Sequence, residues 1–229
     1  MAASRSPLCG KAVMKTSAIG FFLAALVVLP SAANAQCPTG QHVVVQITAG
    51  VDDNFAQPEE PAYPDAGVVN FLTGYFGNAL RNFDQPGINA TLAHTFYWQP
   101  TDFCSAFVTM HILAQFDGGA ESNDTFSMEF NPGFIPGQIS QWAWGLYIGD
   151  ILGKAWVAGN EKTLTLDLLN LPPDPHNRTS VGWALADGDL DVIVDDDTVV
   201  DYVTLTLCGC ETINPVQPTT WGKVKALYR

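Results

Sequence analysis

The stretch Asp187–Cys208, DGDLDVIVDDDTVVDYVTLTLC, constrains the fold of this chain more than any other. Leu190, Val192 and Val194 alternate with Asp189, Asp191 and Asp195. After the acidic break, Val203, Leu205 and Leu207 alternate with Thr204 and Thr206. Successive side chains of a strand point to opposite sides of a sheet, so this period-2 pattern predicts two half-buried antiparallel strands joined by a tight acidic turn as a hairpin.

The same alternation recurs along the chain. It predicts strands at His42–Ala49, Thr91–Trp98, Cys104–Phe116, Thr125–Phe130, Trp142–Ile148, Lys162–Leu169 and, more weakly, Val181–Leu185. With the two strands above these make about nine, punctuated by Gly, Pro, Asn and Asp. That count and spacing predict an all-β, two-sheet antiparallel sandwich of jelly-roll type. One helix is expected over Ala66–Leu80, short and docked across the sandwich. Asp65 is its N-cap, Val68, Leu72, Tyr75, Phe76 and Ala79 form its apolar stripe, and Gly74 and Gly77 weaken it.

The first 35 residues read as a secretory signal: Lys15, the apolar run Ile19–Leu29 and the small-residue site Ala33-Asn34-Ala35, with Met14 as the expected true start. Residues 36–211 form the expected sandwich domain, and 212–229 a Pro-containing linker and basic tail ending TTWGKVKALYR. No later stretch is apolar enough to span a membrane. Without the signal, 7 basic face 23 acidic residues, a net charge of −16. Such a surface repels phosphates, which argues against nucleic acid as a partner. It leaves a carbohydrate or a surface protein as the expected ligand class, with the oligomeric state open.

Four cysteines remain after the signal: Cys37, Cys104, Cys208 and Cys210. An even number in an exported chain predicts two disulfides. Cys208 and Cys210 are too close in sequence to pair comfortably, so one bridge from each to Cys37 and Cys104 is expected. A zinc site is disfavoured by the C-x-C spacing and the oxidising compartment.

Calcium is the candidate cofactor. Asp189, Asp191, Asp195, Asp196 and Asp201 are its candidate ligands, because clustered carboxylates and carbonyls suit a hard cation taking six to eight oxygens. The competing reading makes Asp195–Asp197 turn formers and Asp201 a cap of backbone amides. Asp201 shares the alternation phase of Val203 and Leu205, and a buried carboxylate has to be hydrogen-bonded, paired or metal-bound. Tyr147, Trp156 and Trp183 are the aromatics that could stack on a sugar, whereas Trp98, Trp142 and Trp144 read as core. The histidines His42, His94, His111 and His176 are scattered, with His94 on an apolar face, and no nucleophile elbow or phosphate loop occurs. The expectation is therefore a non-catalytic module.

Ala93–Phe96 (AHTF), the Trp144-Gly145 step, Leu166–Pro173 (LDLLNLPP) and the LDVIVDDDTVVDYVTLTL stretch together resemble a recurrent β-sandwich module of secreted bacterial proteins, with which no activity is associated. The last strand is similar to the closing strand of jelly-roll carbohydrate-binding modules. That resemblance implies a structural calcium held by an acid near the strand start, which here is Asp201. The expected function is a secreted or surface-exposed binding module. The alternatives are a glycan-active or glycan-binding protein and a structural envelope subunit.

Overall fold

The computed structural model describes residues 37–56, 58–77, 79–87, 90–115, 123–130 and 142–210. The expected signal and the C-terminal tail lie outside the described residues.

Nine strands occur among the described residues: β1 (His42–Gly50), β2 (Ala79–Arg81), β3 (Ala90–Tyr97), β4 (Ser105–Ala114), β5 (Thr125–Phe130), β6 (Trp142–Tyr147), β7 (Glu161–Asp167), β8 (Asp189–Asp195) and β9 (Thr198–Gly209). One sheet has the order β1-β9-β4-β7 and is antiparallel throughout. The other has the order β2-β3-β8-β5-β6, antiparallel except for the short parallel pair β2–β3. The chain passes back and forth between the sheets, and apart from β2 the order is that of a jelly roll.

The core forms where the two inward rows meet. Leu190, Val192 and Val194 of β8 face Val203, Leu205 and Leu207 of β9, together with Met110, Ile112, Phe126 and Trp144. The expected hairpin is therefore corrected. β8 and β9 are not partners; they belong to opposite sheets, and the Asp196-Asp197 turn carries the chain across. Each strand has one apolar face, and an arch lets both bury that face against each other. A hairpin would place them side by side in one sheet.

The helix is shorter than the pattern predicts. An α-helix α1 (Ala66–Phe71) continues as a π-turn segment (Leu72–Phe76), and Gly77 ends it in the left-handed conformation. Asp65 caps it as expected, accepting from the Gly67 amide at 2.6 Å. The residues after Gly77 become β2 rather than more helix. Val68 and Leu72 pack on Ala93 and Ile193, covering the outer face of the β3–β8 pair. That cover explains why β8 is buried on both faces although its outer row is acidic. Val181–Leu185 is not a strand. It is a turn leading into a single 3₁₀ turn at Ala184–Ala186, and a second short helix α2 (Ile148–Leu152) follows β6.

β9 is buried from end to end between β1 and β4. Its outward threonines join a row across all four strands of its sheet: Thr48, Thr204, Thr109 and Thr165 lie in register, with hydroxyl contacts of 2.9 Å at Thr48–Thr204 and Thr109–Thr165. Both disulfides fasten the end of β9. Cys37–Cys208 ties it to the chain before β1, and Cys104–Cys210 ties it to the start of β4. One bridge runs from each of Cys208 and Cys210 to Cys37 and Cys104, as expected, and the structure decides which partner each takes.

The bridges close loops of 171 and 106 residues. The chain-entropy model assigns each about 5 kcal/mol, acting on the unfolded state. Replacing Cys37 and Cys208 together by Ser is expected to lower unfolding free energy by about that amount in urea titrations. A loss under about 1 kcal/mol would show that the oxidised unfolded chain is not measurably constrained.

Candidate metal centre

Asp201 lies at a break in the alternation of β9. His111 pairs with Tyr202 and Ile112 with Val200, so Asp201 has no opposite residue on β4. Such a bulge adds one residue and re-aims a side chain. Val200 and Val203 both reach the core although they are three apart. Asp201 is 0% exposed, as the sequence suggested, but the bulge directs its carboxylate to a loop and a histidine.

The loop is the acidic segment after β1. Gly50 begins it at a φ of +76°, where a Cβ would come within 2.3 Å of the Asp201 carbonyl oxygen, so only glycine fits. Asn54 and Phe55 are also left-handed. The wrapped loop aims two backbone amides at Asp201 Oδ1, Asp53 at 3.4 Å and Phe55 at 3.1 Å. The other carboxylate oxygen, Oδ2, lies 2.8 Å from His111 Nδ1, and His111 Nε2 lies 3.0 Å from Glu161 Oε1. The Phe55 ring packs on the His111 ring at 4.7 Å between centroids.

A second segment completes the cluster. Phe83 anchors in the core, and the Asp84 amide donates to the Val200 carbonyl at 2.9 Å. Asp84 is only 3% exposed. Burial raises its carboxyl to a pKa of about 8, helped by a hydrogen bond with Glu60 and by the charges of Asp201, Glu60 and Asp53. Burial, and then the charge of Asp201, also raises Asp52. Ligand atoms of Asp52, His111 and Asp201 lie within 4.8 Å of one another, as do those of Asp53, Asp84 and Asp201. Asp201 belongs to both groups.

The other predicted ligands lie elsewhere. Asp195 and Asp196 are at the β8–β9 arch, where Asp124, Asp196 and Asp197 also converge within 4.8 Å. A protein cation already serves that corner. Arg81, buried on β2, donates to the carbonyls of Thr198 and Gly87 and feels the charges of Asp124, Asp195, Asp197 and Asp196. Burial lowers its pKa to about 10, which leaves it charged at neutral pH. Asp195 accepts from the Thr91 hydroxyl, and Asp124 accepts from the Asp197 amide at 3.2 Å and from the Thr198 hydroxyl. Asp189 and Asp191 lie on the outer face of β8. Asp191 accepts from the Thr95 hydroxyl at 2.6 Å and the Phe130 amide at 3.2 Å. Neighbouring Glu129 is raised to about 8, mainly by burial and then by Asp191. The five predicted ligands thus occupy three places, and Asp201 is the one inside the His111 cluster.

Asp52, Asp53, Glu60, Asp84, His111 and Glu161 escaped the sequence reading. The Asp52-Asp53 pair and the polar phase of His111 within an apolar strand were the available signals. His94 is half-buried beside Phe83 and Phe96: its Nδ1 accepts from the Tyr63 amide at 3.2 Å, and burial lowers it to about 4. Among the aromatics, Tyr147 (48%) and Trp183 (57%) are exposed as expected. Trp156 is not: it is 2% exposed and donates Nε1–H to the Thr198 hydroxyl at 2.7 Å, so it is a core residue and offers no stacking face.

No family model matches the chain, and no curated protein does. Among solved structures it is similar to the coat protein dimer of Tobacco streak virus, at 11% identity and a TM-score of 0.26, over 80% of this chain and 96% of that one. A likeness at that level carries no functional argument.

The raised carboxyls make a pH prediction. In the metal-free protein Asp84 holds its proton in the folded state up to about pH 8, while the unfolded chain releases it near 3.8. Between these values the native state binds more protons, so stability falls as pH rises, by at most about 1.4 kcal/mol per pH unit for one such group. Below the window both states are protonated and the term vanishes. Glu129 acts in the same direction, from 4.5 to about 8. Asp84→Asn is expected to flatten the decline between pH 4 and 8 in chelator-treated protein, measured by urea unfolding at each pH. An unchanged slope would mean that Asp84 ionises normally.

Proposed function

We propose that this protein is an exported, non-catalytic binding module whose loop after β1 is organised by a structural calcium ion. The observation that supports this reading is the convergence of Asp53, Asp84 and Asp201, with Asp52 and Glu60 beside them. Like charges brought together out of water are costly, and a hard dication with a flexible oxygen shell relieves that cost. Binding would exchange the Asp84 proton for the cation and lock the left-handed turn at Asn54 and Phe55. The two disulfides support an extracellular setting, and among the described residues no helix is long and apolar enough to cross a membrane.

A second reading has its own support. Exposed Tyr147 lines an open cleft of about 270 Å³ shared with Trp142, His176 and Arg178. It also borders a second cleft of about 650 Å³ with Asp150 and Lys154. An aromatic face among hydrogen-bonding groups suits a sugar. Titrating oligosaccharides while following tryptophan fluorescence tests it, and saturable quenching abolished by Tyr147→Ala is the expected result. Quenching that survives this change removes the glycan reading from this face.

Thermal unfolding of the disulfide-intact protein in calcium and in EDTA tests the main reading. At a hundredfold excess over its dissociation constant, calcium is expected to stabilise by about 2.7 kcal/mol. Asp53→Asn and Asp84→Asn should each reduce that shift, whereas Asp195→Asn, at the Arg81 corner, should leave it intact. Equal melting with and without calcium would end the calcium reading.

A further inference from the structure

We propose that Asp52, His111 and Asp201 form a binding site for a divalent transition metal of the zinc class, with Glu161 orienting the histidine. The site is distinct in chemistry from the all-oxygen group of Asp53, Asp84 and Asp201. It shares Asp201 with that group, and His111 faces the Oδ2 of that carboxylate.

Four features support this assignment. First, the donor set is mixed. Calcium takes oxygen ligands, whereas an imidazole with two carboxylates suits zinc and its neighbours. Second, the His111–Asp201 separation is close to what zinc requires. Zinc bonds of about 2.0–2.2 Å at the tetrahedral angle set two ligand atoms about 3.4 Å apart. His111 Nδ1 and Asp201 Oδ2 stand 2.8 Å apart, so they need to separate by only roughly 0.6 Å to admit the ion.

Third, His111 has the outer partner a ligating histidine needs. Its far nitrogen, Nε2, lies 3.0 Å from Glu161 Oε1. With a metal bound at Nδ1 in place of the direct contact to Asp201, the ring proton would stay on Nε2, donated to Glu161. Fourth, the ring has little freedom. β4 holds its backbone between β9 and β7, Phe55 packs on one face, and the Tyr202 ring lies 5.9 Å away. Two carboxylates neutralise a dication, and three protein ligands leave the fourth tetrahedral position for water or for a donor from a partner.

This inference does not rest on the calcium reading, and the two fail separately. The experiment uses the disulfide-intact protein, so that no thiol competes for metal. Zinc is titrated against a chromophoric chelator, and cobalt(II) is added in parallel as a spectroscopic substitute. One zinc per chain is expected, with visible cobalt absorption of tetrahedral intensity. His111→Gln should weaken zinc by about a hundredfold or more, and Glu161→Gln by about tenfold to a hundredfold, because an outer partner typically contributes that much. Circular dichroism and the denaturation midpoint of His111→Gln in EDTA, compared with the parent protein, report whether the variant is folded.

If His111→Gln does not fold, the parent protein decides through the ¹⁵N shifts of its histidine rings. Zinc should move Nδ1 of His111 and leave His94 unchanged. No stoichiometric zinc binding, undiminished binding in a folded His111→Gln variant, or an unmoved His111 ring overturns the proposal. Loss of the calcium response with His111-dependent zinc binding retained would sink only the calcium reading.

Discussion

A carboxylate with no solvent exposure, placed inside the central strand of a sheet, has to be compensated by its surroundings, and Asp201 sets that demand. The loop after β1 curls through two left-handed residues so that its amides reach one oxygen. Gly50 at the start of that loop is the only residue type that fits against the Asp201 carbonyl. The bulge in β9 turns the other oxygen to His111, and Glu161 on β7 holds the far side of the ring. One buried charge therefore couples β1, β4, β7 and β9 at the same end of the sandwich.

The acids of this chain are handled by different physical means. At the β8–β9 arch a buried guanidinium lies among the carboxylates. On the outer face of β8, hydroxyl and amide donors solvate Asp191, and Glu129 is pushed toward its neutral form. Around Asp201 there is one histidine, and burial, reinforced by Glu60 and the neighbouring charges, holds Asp84 well above the usual carboxylate range. Arg81 brings a guanidinium to the carboxylates of the arch, and its position on a three-residue strand explains why so short a strand matters.

Much of the fold was legible because burial on one face imposes a period of two. Eight of the nine strands lie where the alternation placed them, as does the cap at Asp65. β2 was hidden because three residues carry no period and the preceding apolar stripe ran on past Gly77. Val181–Leu185 mimicked a strand because Val181, Ala184 and Leu185 are all core residues, although they sit on turns. Trp156 read as free because it has no regular element around it, yet its indole N–H is satisfied by Thr198 in the core.

The sequence by itself determined an all-β sandwich, its inward rows, the acidic balance and two disulfides that do not join Cys208 to Cys210, because these follow from local periodicity and residue chemistry. Only the tertiary structure decided that β8 and β9 lie in opposite sheets, since alternation gives a strand its faces but not its neighbours. It likewise decided which acids meet. Asp52, Asp84, His111 and Asp201 come from four separate segments, and nothing local in any of them records the distance to the others. The bulge at Asp201 depends on how β9 pairs with β4, and a pairing register is a property of two strands at once.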